Sequence, residues 1–359
     1  MTYAEARALF PVLERFAYLN AGTFGPLARA TAGAMAEQAQ RDSEQGRAGQ
    51  TYFEAMLNLR TSVRGRIADL LATTPEHVSL TSSTTDGCNI VLGGLDLEPG
   101  DEIVTTDAEH FGLAGPVFAS GAGVSVVRAG ISDGEELLEA IASAVTPRTR
   151  LLAVSHVIWT TGAVLDVHAL KERTGVPVLV DGAQSVGAIP VDVGALDFYT
   201  VSGQKWLCGP ESTGALYVAD PDALRVASPS YFAQESFEPG GEFVARAGAQ
   251  RFDPGWTAVS ALAGLDVALS LAPEWRFGRI AELAAFARES LPDVVTGDAQ
   301  AGLVTFAPDG DPVALAARLF EQGVVLRNLP GTPWLRASCG WWNDESDVAR
   351  LSAGVSGGS

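Results

Sequence analysis

An acid and a lysine each follow an apolar run in the middle of the chain. The run Val176–Val180 stops at Asp181, and the run Phe198–Val201 leads into a turn that carries Lys205. Short apolar runs of this kind predict buried parallel strands. Ligands of open α/β sheets bind at the carboxyl ends of such strands, so we expect Asp181 and Lys205 to lie together at that edge.

A carboxyl group beside an amine at one sheet edge is what pyridoxal phosphate (PLP) requires. The carboxylate keeps the pyridine nitrogen protonated, and the amine forms a Schiff base with the aldehyde. Taken singly, Asp181 could instead cap the turn that follows it, and Lys205 could be a solvated loop residue. Their predicted proximity favours the PLP site over these two structural roles.

A hydroxyl-rich helix start gives a third indication of the same site. The segment Leu80–Asn89 ends a predicted strand and begins a predicted helix, with Thr84 and Thr85 in the run of four hydroxyl residues Ser82–Thr85. Free backbone N–H groups and hydroxyls at a helix N-terminus suit a phosphate group. Simple N-capping by Ser or Thr would account for the same composition.

His110 is also expected at this edge, since it follows the predicted strand Glu102–Thr105. It is predicted either to stack on a cofactor ring or to be a hydrogen-bonded structural residue. The other histidines, His77, His156 and His168, have no metal-ligand spacing with each other or with the cysteines. We therefore assign no metal.

The alternation of short β-rich runs with longer helical runs from about Pro75 onward predicts an α/β fold with a mostly parallel sheet. The predicted strands are Val78–Thr81, Glu102–Thr105, Val124–Arg128, Leu151–Ser155, Val176–Val180, Phe198–Val201 and Gly214–Val218. Two helices are predicted within Ala30–Leu71, and a further one at Val259–Leu271. We divide the chain into an N-terminal segment that packs with the small domain (1–20), a large PLP-binding domain (21–258) and a small α+β domain (259–359).

The charge balance argues against polyanionic partners. The 359 residues carry a formal net charge of −19, whereas nucleic acids and anionic membranes bind basic patches. The three cysteines are odd in number and far apart, which is not the pattern of a disulfide framework. The start Met1–Leu13 lacks the regions of a signal peptide, and no run is apolar enough to span a bilayer. We expect a cytoplasmic protein that acts on small molecules.

Several motifs in order along the chain resemble the class V aminotransferase family of fold-type I PLP enzymes. This group holds cysteine desulfurases, cysteine C–S lyases and isopenicillin N epimerase-like proteins. The resemblance implies a large domain with a mostly parallel mixed sheet flanked by helices, a smaller C-terminal domain and PLP as the cofactor. The motifs are Tyr18–Pro26, Thr84–Gly87, Glu109–His110, Ser155–Val157, Asp181–Gln184, Ser202–Trp206 and Leu335–Ser338.

The resemblance also implies a role for each matching residue that would hold the cofactor. Lys205 would form the Schiff base and shuttle protons, Asp181 would pair with the pyridinium nitrogen, and His110 would stack on the ring. Gln184 would bind the phenolic oxygen. The phosphate would be bound by Thr84, Thr85, Ser202, Gln204 and Thr257. Thr257 belongs to Gly255–Thr257, which resembles the segment that reaches the partner subunit's phosphate, so a homodimer is implied.

For the substrate, the resemblance implies that Arg336 holds the α-carboxylate by a two-pronged contact. We also assign Asn20 and Thr160 to the substrate, although Thr160 stands near a position where many relatives place an Asn. A second departure is Gln204, which stands where the family commonly has His before the lysine. Gln204 can donate a hydrogen bond to a phosphate but cannot carry a charge.

The cysteines decide which reaction is expected. A desulfurase needs a cysteine thiolate on a mobile loop, and the corresponding stretch Val324–Leu335 contains no cysteine. Cys339 is expected on or just beyond a strand, and Cys88 and Cys208 to be structural. We therefore predict β-elimination by a PLP-dependent C–S lyase that acts on a cysteine-like or S-substituted cysteine amino acid. The alternatives are a cysteine desulfurase, an epimerase or racemase, an aminotransferase, and a non-catalytic PLP-fold binding protein.

Overall fold

The computed structural model describes residues 1–130, 134–297 and 301–357. The helices are α1 (Tyr3–Ala8), α2 (Arg29–Gln45), α3 (Gly49–Leu70), α4 (Thr84–Gly94), α5 (Phe111–Ala119), α6 (Gly134–Ser143), α7 (Val167–Thr174), α8 (Val259–Leu271), α9 (Arg276–Ser290), α10 (Pro312–Glu321) and α11 (Glu345–Ser356). The strands are β1 (Ala17–Tyr18), β2 (Val78–Thr81), β3 (Glu102–Thr106), β4 (Gly123–Val127), β5 (Thr149–Ser155), β6 (Val178–Asp181), β7 (Phe198–Ser202), β8 (Gly214–Val218), β9 (Gln234–Ser236), β10 (Val244–Ala245), β11 (Leu303–Phe306), β12 (Val324–Val325), β13 (Arg327–Asn328) and β14 (Leu335–Ser338).

A seven-stranded mixed sheet in the order β2-β8-β7-β6-β5-β3-β4 forms the centre of the larger part. The five strands from β7 to β4 are parallel, and β8 pairs antiparallel with both β7 and β2. This confirms the predicted α/β fold. Within the parallel part, Ser155 of β5, Asp181 of β6 and Thr200 of β7 are register partners, so the carboxyl ends of the three strands lie side by side.

Helices cover both faces of this sheet, which explains its continuous apolar strands. Val154 and Val180 belong to one core cluster and Ala153 and Leu179 to another, because successive side chains of a strand point to opposite faces. Every residue of β6 is buried. A polar side chain in such a strand is tolerated at its end, and this is where Asp181 stands.

The strand predictions agree with the structure to within about two residues. The largest shift is in β6, which begins at Val178 and includes Asp181, whereas Val176–Val180 was predicted. Pro177 lacks a backbone N–H and cannot donate to a neighbouring strand. Its carbonyl still accepts a hydrogen bond from Leu152 at 2.9 Å, and regular pairing starts one residue later.

The C-terminal part is built on a second sheet of order β11-β14-β13, all antiparallel. The N-terminal segment contacts this part. Strand β1 pairs in parallel with β12, the Tyr3 hydroxyl donates to the carbonyl of Asn343 at 2.6 Å, and Arg7 pairs with Asp347 at 2.7 Å. Residues 17–25 therefore lie between the C-terminal part and the large sheet.

Helix α8, the first element of the predicted small domain, packs on α2 and α3. Its residues Leu262 and Leu265 belong to the same core cluster as β5 and β6. The division at residue 258 stays a prediction, and α8 lies with the larger part. In the residues that the structure describes, no helix is long and apolar enough to cross a bilayer, and no group of three or more His, Cys, Asp or Glu is arranged to bind a metal.

Candidate active site

Asp181 and Lys205 lie at the same carboxyl edge of the large sheet, as the sequence predicts. Asp181 is the last residue of β6, and Lys205 follows the end of β7 by three residues. Burial lowers the pKa of Lys205 to about 8, although the nearby carboxyl of Asp181 opposes this shift. Burial raises the pKa of Asp181, and Lys205 opposes that shift in turn. The amine is therefore partly neutral near neutral pH, the form that attacks an aldehyde.

The turn that carries Lys205 is fixed by backbone contacts on both sides. The N–H of Gly203 donates to Thr213 at 2.9 Å, and the N–H of Gly25 donates to the carbonyl of Gln204 at 2.8 Å. A Cβ atom on Gly25 would stand 2.1 Å from the carbonyl oxygen of Lys205. The segment after β1 thus lies directly on the lysine turn, and glycine is required there.

Gln184, predicted to bind the cofactor's phenolic oxygen, is held by two protein groups. Its Oε1 accepts from the indole N–H of Trp206 at 3.0 Å, and its Nε2 donates to the carbonyl of Gly22 at 2.9 Å. An amide nitrogen carries two hydrogens, so one remains for a ligand. Gln184 therefore connects the lysine turn, the N-terminal segment and the expected position of the ring.

The start of α4 combines both roles that the sequence left open. Ser83 is the N-cap and accepts from the backbone N–H of Asp86 at 3.1 Å. Thr84 and Thr85 are the first two residues of the helix and are partly exposed. Because Ser83 does the capping, their hydroxyls and the helix N-terminus suit a phosphate.

Ser202 and Gln204 lie close to this helix start, because Gly214 is next to both segments. Ser202 donates to the Oε1 atom of Gln204 at 2.9 Å, and Gly214 is the register partner of Ser202. A Cβ atom on Gly214 would stand 3.2 Å from the Cα atom of Ser83. The three predicted phosphate-binding segments, at residues 83–85, 202 and 204, therefore meet at one place.

His110 is the N-cap of α5 and presents a neutral ring. Its Nδ1 accepts from the N–H of Gly112 at 3.1 Å, so the neutral ring carries its proton on Nε2. Burial, followed by the charges of Lys205 and Arg336, lowers the pKa of His110 to about 4. A Cβ atom on Gly112 would stand 2.7 Å from the Thr85 hydroxyl, so the His110 loop adjoins the start of α4.

The sequence does not single out Glu109 as a functional residue, apart from its place in the motif Glu109–His110. It is buried, and its two carboxyl oxygens accept from Thr106 at 2.8 Å and from Ser155 at 2.5 Å. These bonds tie the end of β3, just before His110, to the end of β5, whose Ser155 adjoins Asp181. Burial raises the pKa of Glu109 to about 7. Its place directly before His110 was the available signal.

Arg336 lies in the middle of β14 and is only 2% exposed. Its Nη1 donates to the backbone carbonyl of Trp159 at 2.7 Å. Among the described residues, no carboxylate lies within ion-pair distance of Arg336. Burial and the neighbouring Arg327 lower its pKa to about 9. A buried cation without a counter-charge is costly, so this guanidinium is suited to an anionic ligand.

Asn20 and Thr160 both adjoin the strands around Arg336. Asn20 forms a β-bridge with Ser338, two residues from Arg336, and its buried Oδ1 has no hydrogen-bond partner among the described residues. The carbonyl of Thr160 accepts from the Thr305 hydroxyl at 2.6 Å and fixes the loop after β5. It is Trp159 that reaches the arginine.

Thr257 lies in the segment that precedes α8, next to the exposed ring of Trp256, which stacks on Tyr231 at 5.4 Å. Asp253 anchors this segment through buried ion pairs with Arg60 and Arg64 at 2.8 and 2.7 Å. A role at a partner subunit's phosphate stays a prediction.

The cysteines are all buried. Cys339 follows the last residue of β14, as expected, and its N–H donates to the carbonyl of Gly302 at 2.8 Å. Burial raises the pKa of Cys339 to about 12 and raises the pKa values of Cys88 and Cys208 as well. A reactive thiolate is therefore disfavoured at each position.

The arrangement fits PLP because it offers a suitable protein group for each part of the cofactor and for the substrate carboxylate. A partly neutral amine stands beside a buried carboxyl, and a helix start with hydroxyls adjoins it. A buried guanidinium that pairs with no carboxylate of the described residues faces the same region. These are the groups needed for an aldehyde, a pyridine nitrogen, a phosphate and a carboxylate.

Known proteins of similar sequence cover nearly the whole chain. The family described as Aminotransferase class-V matches residues 20–351. Isopenicillin N epimerase of Amycolatopsis lactamdurans is 30% identical, with 98% of this chain and 97% of that protein covered. Cysteine desulfurase of Klebsiella pneumoniae (strain 342) is 32% identical, with 99% and 98% covered.

Two solved structures of the protein C-DES are also similar. A variant with glycine covalently linked to the PLP cofactor has a TM-score of 0.89 and 30% identity, covering 97% of this chain and 98% of that chain. A complex between the cystine C–S lyase C-DES and its reaction product cysteine persulfide has a TM-score of 0.88 and 29% identity, covering 96% and 98%.

Proposed function

Since the chain belongs to the class-V aminotransferase family and is a PLP-dependent enzyme, we propose that it is a C–S lyase. It would eliminate a sulfur leaving group from Cβ of a cysteine-like or S-substituted cysteine amino acid. The observation that carries this choice is the state of Cys339. It is buried at the end of β14 with a raised pKa, and the stretch Val324–Leu335 has no cysteine. A desulfurase needs an accessible thiolate, and elimination does not.

The residues around Lys205 divide the work of holding the cofactor. Lys205 would form the Schiff base, Asp181 would pair with the pyridine nitrogen, and the spare N–H of Gln184 would bind the phenolic oxygen. Thr84, Thr85, Ser202 and Gln204 hold the phosphate. The bound cofactor supplies an electron sink for the bond that is broken at Cα.

Lys205 is the proposed proton carrier. In the PLP-loaded enzyme its Nζ would take the proton from Cα of the substrate, and the C–S electron pair would leave with the sulfur. The ammonium of Lys205 then returns a proton to the departing sulfur. A pKa of about 8 suits both directions of this transfer near neutral pH. His110, with its neutral ring, orients the cofactor and adds no charge.

Arg336 holds the α-carboxylate, and a second arginine favours substrates with a further anionic group. Arg327 of β13 is the register partner of Arg336 in β14. Side chains of directly opposed residues lie on the same face of a sheet. Arg327 is exposed, so it is available to a distal carboxylate such as the second one of cystine. C-DES is itself named a cystine lyase.

The assembly and location belong to the same proposal. A homodimer would bring Thr257 to the phosphate of the partner subunit, and the exposed rings of Tyr231 and Trp256 provide apolar surface beside it. A cytoplasmic location is proposed because the three cysteines are free and buried.

Product analysis tests the reaction type. The PLP-loaded protein is given cystine, cysteine or S-methylcysteine, and the products are identified. We expect pyruvate and ammonia, with the same yield from Cys339→Ala. Alanine as the product, lost in Cys339→Ala, would indicate a desulfurase and contradict the proposal. Formation of the D-amino acid without pyruvate would indicate an epimerase.

A further inference from the structure

Among the described residues, Arg336 and three residues near it each have one buried side-chain atom without a hydrogen-bond partner. These atoms are Nε of Arg336, Oγ of Ser338, Oδ1 of Asn20 and Nε1 of Trp159. Asn20 is bridged to Ser338, and the carbonyl of Trp159 accepts from Arg336. Leaving a buried polar group unpaired costs more than a hydrogen bond contributes, so such atoms are normally isolated exceptions. Four of them on three separate segments indicate a ligand that satisfies them together.

Trp159 links this cluster to the cofactor region. Its backbone carbonyl is 2.7 Å from Nη1 of Arg336. Its indole ring meets the His110 ring edge to face, with 5.1 Å between the centroids and an angle of 89°. One residue therefore reaches the arginine with its main chain and the ring-stacking histidine with its side chain. A group bound between Arg336 and the cofactor would lie within reach of this indole.

The chemistry of the unpaired atoms identifies the group that is missing. The indole N–H of Trp159 and the Nε–H of Arg336 can only donate, and the Ser338 hydroxyl can donate. The amide of Asn20 can turn to present its NH₂ group, since its two ends are similar in shape. All four can therefore donate to one acceptor-rich group. A carboxylate offers two oxygens with about four acceptor positions.

The space for this group is bounded by the segment after β1. A Cβ atom on Gly22 would stand 2.7 Å from Nη2 of Arg336 and 2.9 Å from Oγ of Ser338. The carbonyl of Gly22 is held by Gln184 at 2.9 Å. The segment around Gly22 is therefore held in place. A carboxylate would meet donors that are already positioned, which lowers the entropic cost of binding.

We infer that Trp159 is a specificity-determining residue whose indole N–H donates a hydrogen bond to the substrate α-carboxylate beside Arg336. The role assigned to its neighbour Thr160 stays a prediction. The inference rests on the proposed function, which makes an amino acid the ligand. Its consequence is selectivity: the affinity for amino acids depends on this N–H, whereas the affinity for amines without a carboxylate does not.

Glycine binding to the PLP-loaded protein tests this role, because glycine has no leaving group at Cβ. Binding is followed through the change in the cofactor's absorption spectrum. Trp159→Phe removes the N–H and keeps an aromatic ring against His110. We expect the dissociation constant of glycine to rise about ten-fold or more, as for a lost hydrogen bond to a charged group. The dissociation constant of methylamine, which lacks a carboxylate, should stay unchanged.

Trp342→Phe is the matched control. The Nε1 atom of Trp342 is also buried without a partner, but its ring packs on Phe10 at 5.4 Å, among the N-terminal aromatic residues. This variant should bind glycine as the wild type does. Trp159→Tyr provides a second test if Trp159→Phe folds poorly, since it keeps the ring but moves the donor.

An unchanged glycine affinity in the Trp159 variants would overturn the inference. So would an equal loss of affinity for glycine and methylamine, because this would reflect a displaced His110 and not a missing carboxylate contact. A wild-type protein that binds glycine but releases no pyruvate from cystine would contradict the proposed function alone. The two failures are therefore distinguishable.

Discussion

Ser155 donates a hydrogen bond to the buried carboxyl group of Glu109, at 2.5 Å. The bond joins the strand beside Asp181 to the residue before His110. In the cofactor-free protein, burial raises the pKa of Glu109 from 4.5 to about 7. Between about pH 4.5 and 7 the folded state therefore keeps a proton that the unfolded state has lost. The resulting stabilisation of the folded state is complete below about pH 4.5 and is lost by about pH 7.

Glu109→Gln should remove this pH dependence. Between pH 5 and 8 we expect the free energy of unfolding to fall for the wild type relative to the variant, by roughly 2–3 kcal/mol. Urea denaturation of the cofactor-free proteins at several pH values measures it, with the exposed Glu98→Gln as a control for the loss of one acid. A difference that stays constant with pH would contradict the titration of Glu109.

The amine of Lys205 should control the rate at which the cofactor-free protein binds PLP. Only the neutral amine attacks an aldehyde, and burial lowers the pKa of Lys205 to about 8. The rate of Schiff base formation should therefore rise up to about pH 8 and then level off. Stopped-flow absorbance gives this rate. A rise that continues to pH 10 would indicate an ordinary, solvated lysine.

Gly25→Ala should disturb the lysine turn. Its Cβ atom would stand 2.1 Å from the carbonyl oxygen of Lys205, so one of the two segments must move. We expect a loss of stability of about 2 kcal/mol or more and weaker PLP binding.

Gly33→Ala is the control, because a Cβ atom there meets nothing within 4 Å inside helix α2. It should be neutral or stabilise by up to about 1 kcal/mol. Thermal unfolding and PLP titration measure the stability and the PLP affinity of both variants. Equal stability and equal PLP affinity of the two variants would refute the close contact at Gly25.

Arg327 should matter only for substrates with a second anionic group. We expect Arg327→Ala to lower kcat/KM for cystine by about ten-fold or more, the scale of a lost charge-assisted contact. The same variant should treat S-methylcysteine as the wild type does. Steady-state assays of pyruvate formation compare the two substrates. An equal loss for both would place Arg327 at the α-carboxylate or in the folding of β13.

The parts of the site that lie along single strands could be predicted from the sequence. Asp181 and Lys205 each follow an apolar run, and the pattern of parallel strands puts such ends together. The start of α4 carries its own local signal in its hydroxyl residues. Arg336 gives no local signal of its role, and the resemblance to the family supplied it.

The parts that depend on tertiary contacts could not be predicted in this way. Glu109 is a residue type that is normally exposed, and only the fold brings Thr106 and Ser155 to its carboxyl oxygens. Trp159 is one of seven tryptophans in the sequence, and a tryptophan is more often a core residue than a ligand contact. Its unpaired indole N–H becomes evident only when the loop after β5 is set beside β14.

Attachment of the cofactor to Lys205 is the central claim, and the chain allows a direct test of it. Its sequence contains two lysines, Lys171 and Lys205. Lys171 is paired with Asp197 at 2.8 Å and serves as the internal control, because Asp197 also accepts from the N–H of Val178 at the amino end of β6, opposite to Asp181. The PLP-loaded protein is reduced with borohydride, digested, and analysed by mass spectrometry. We expect a single phosphopyridoxyl group, on Lys205. A group on Lys171 or on the N-terminus, with Lys205 unmodified, would contradict the account.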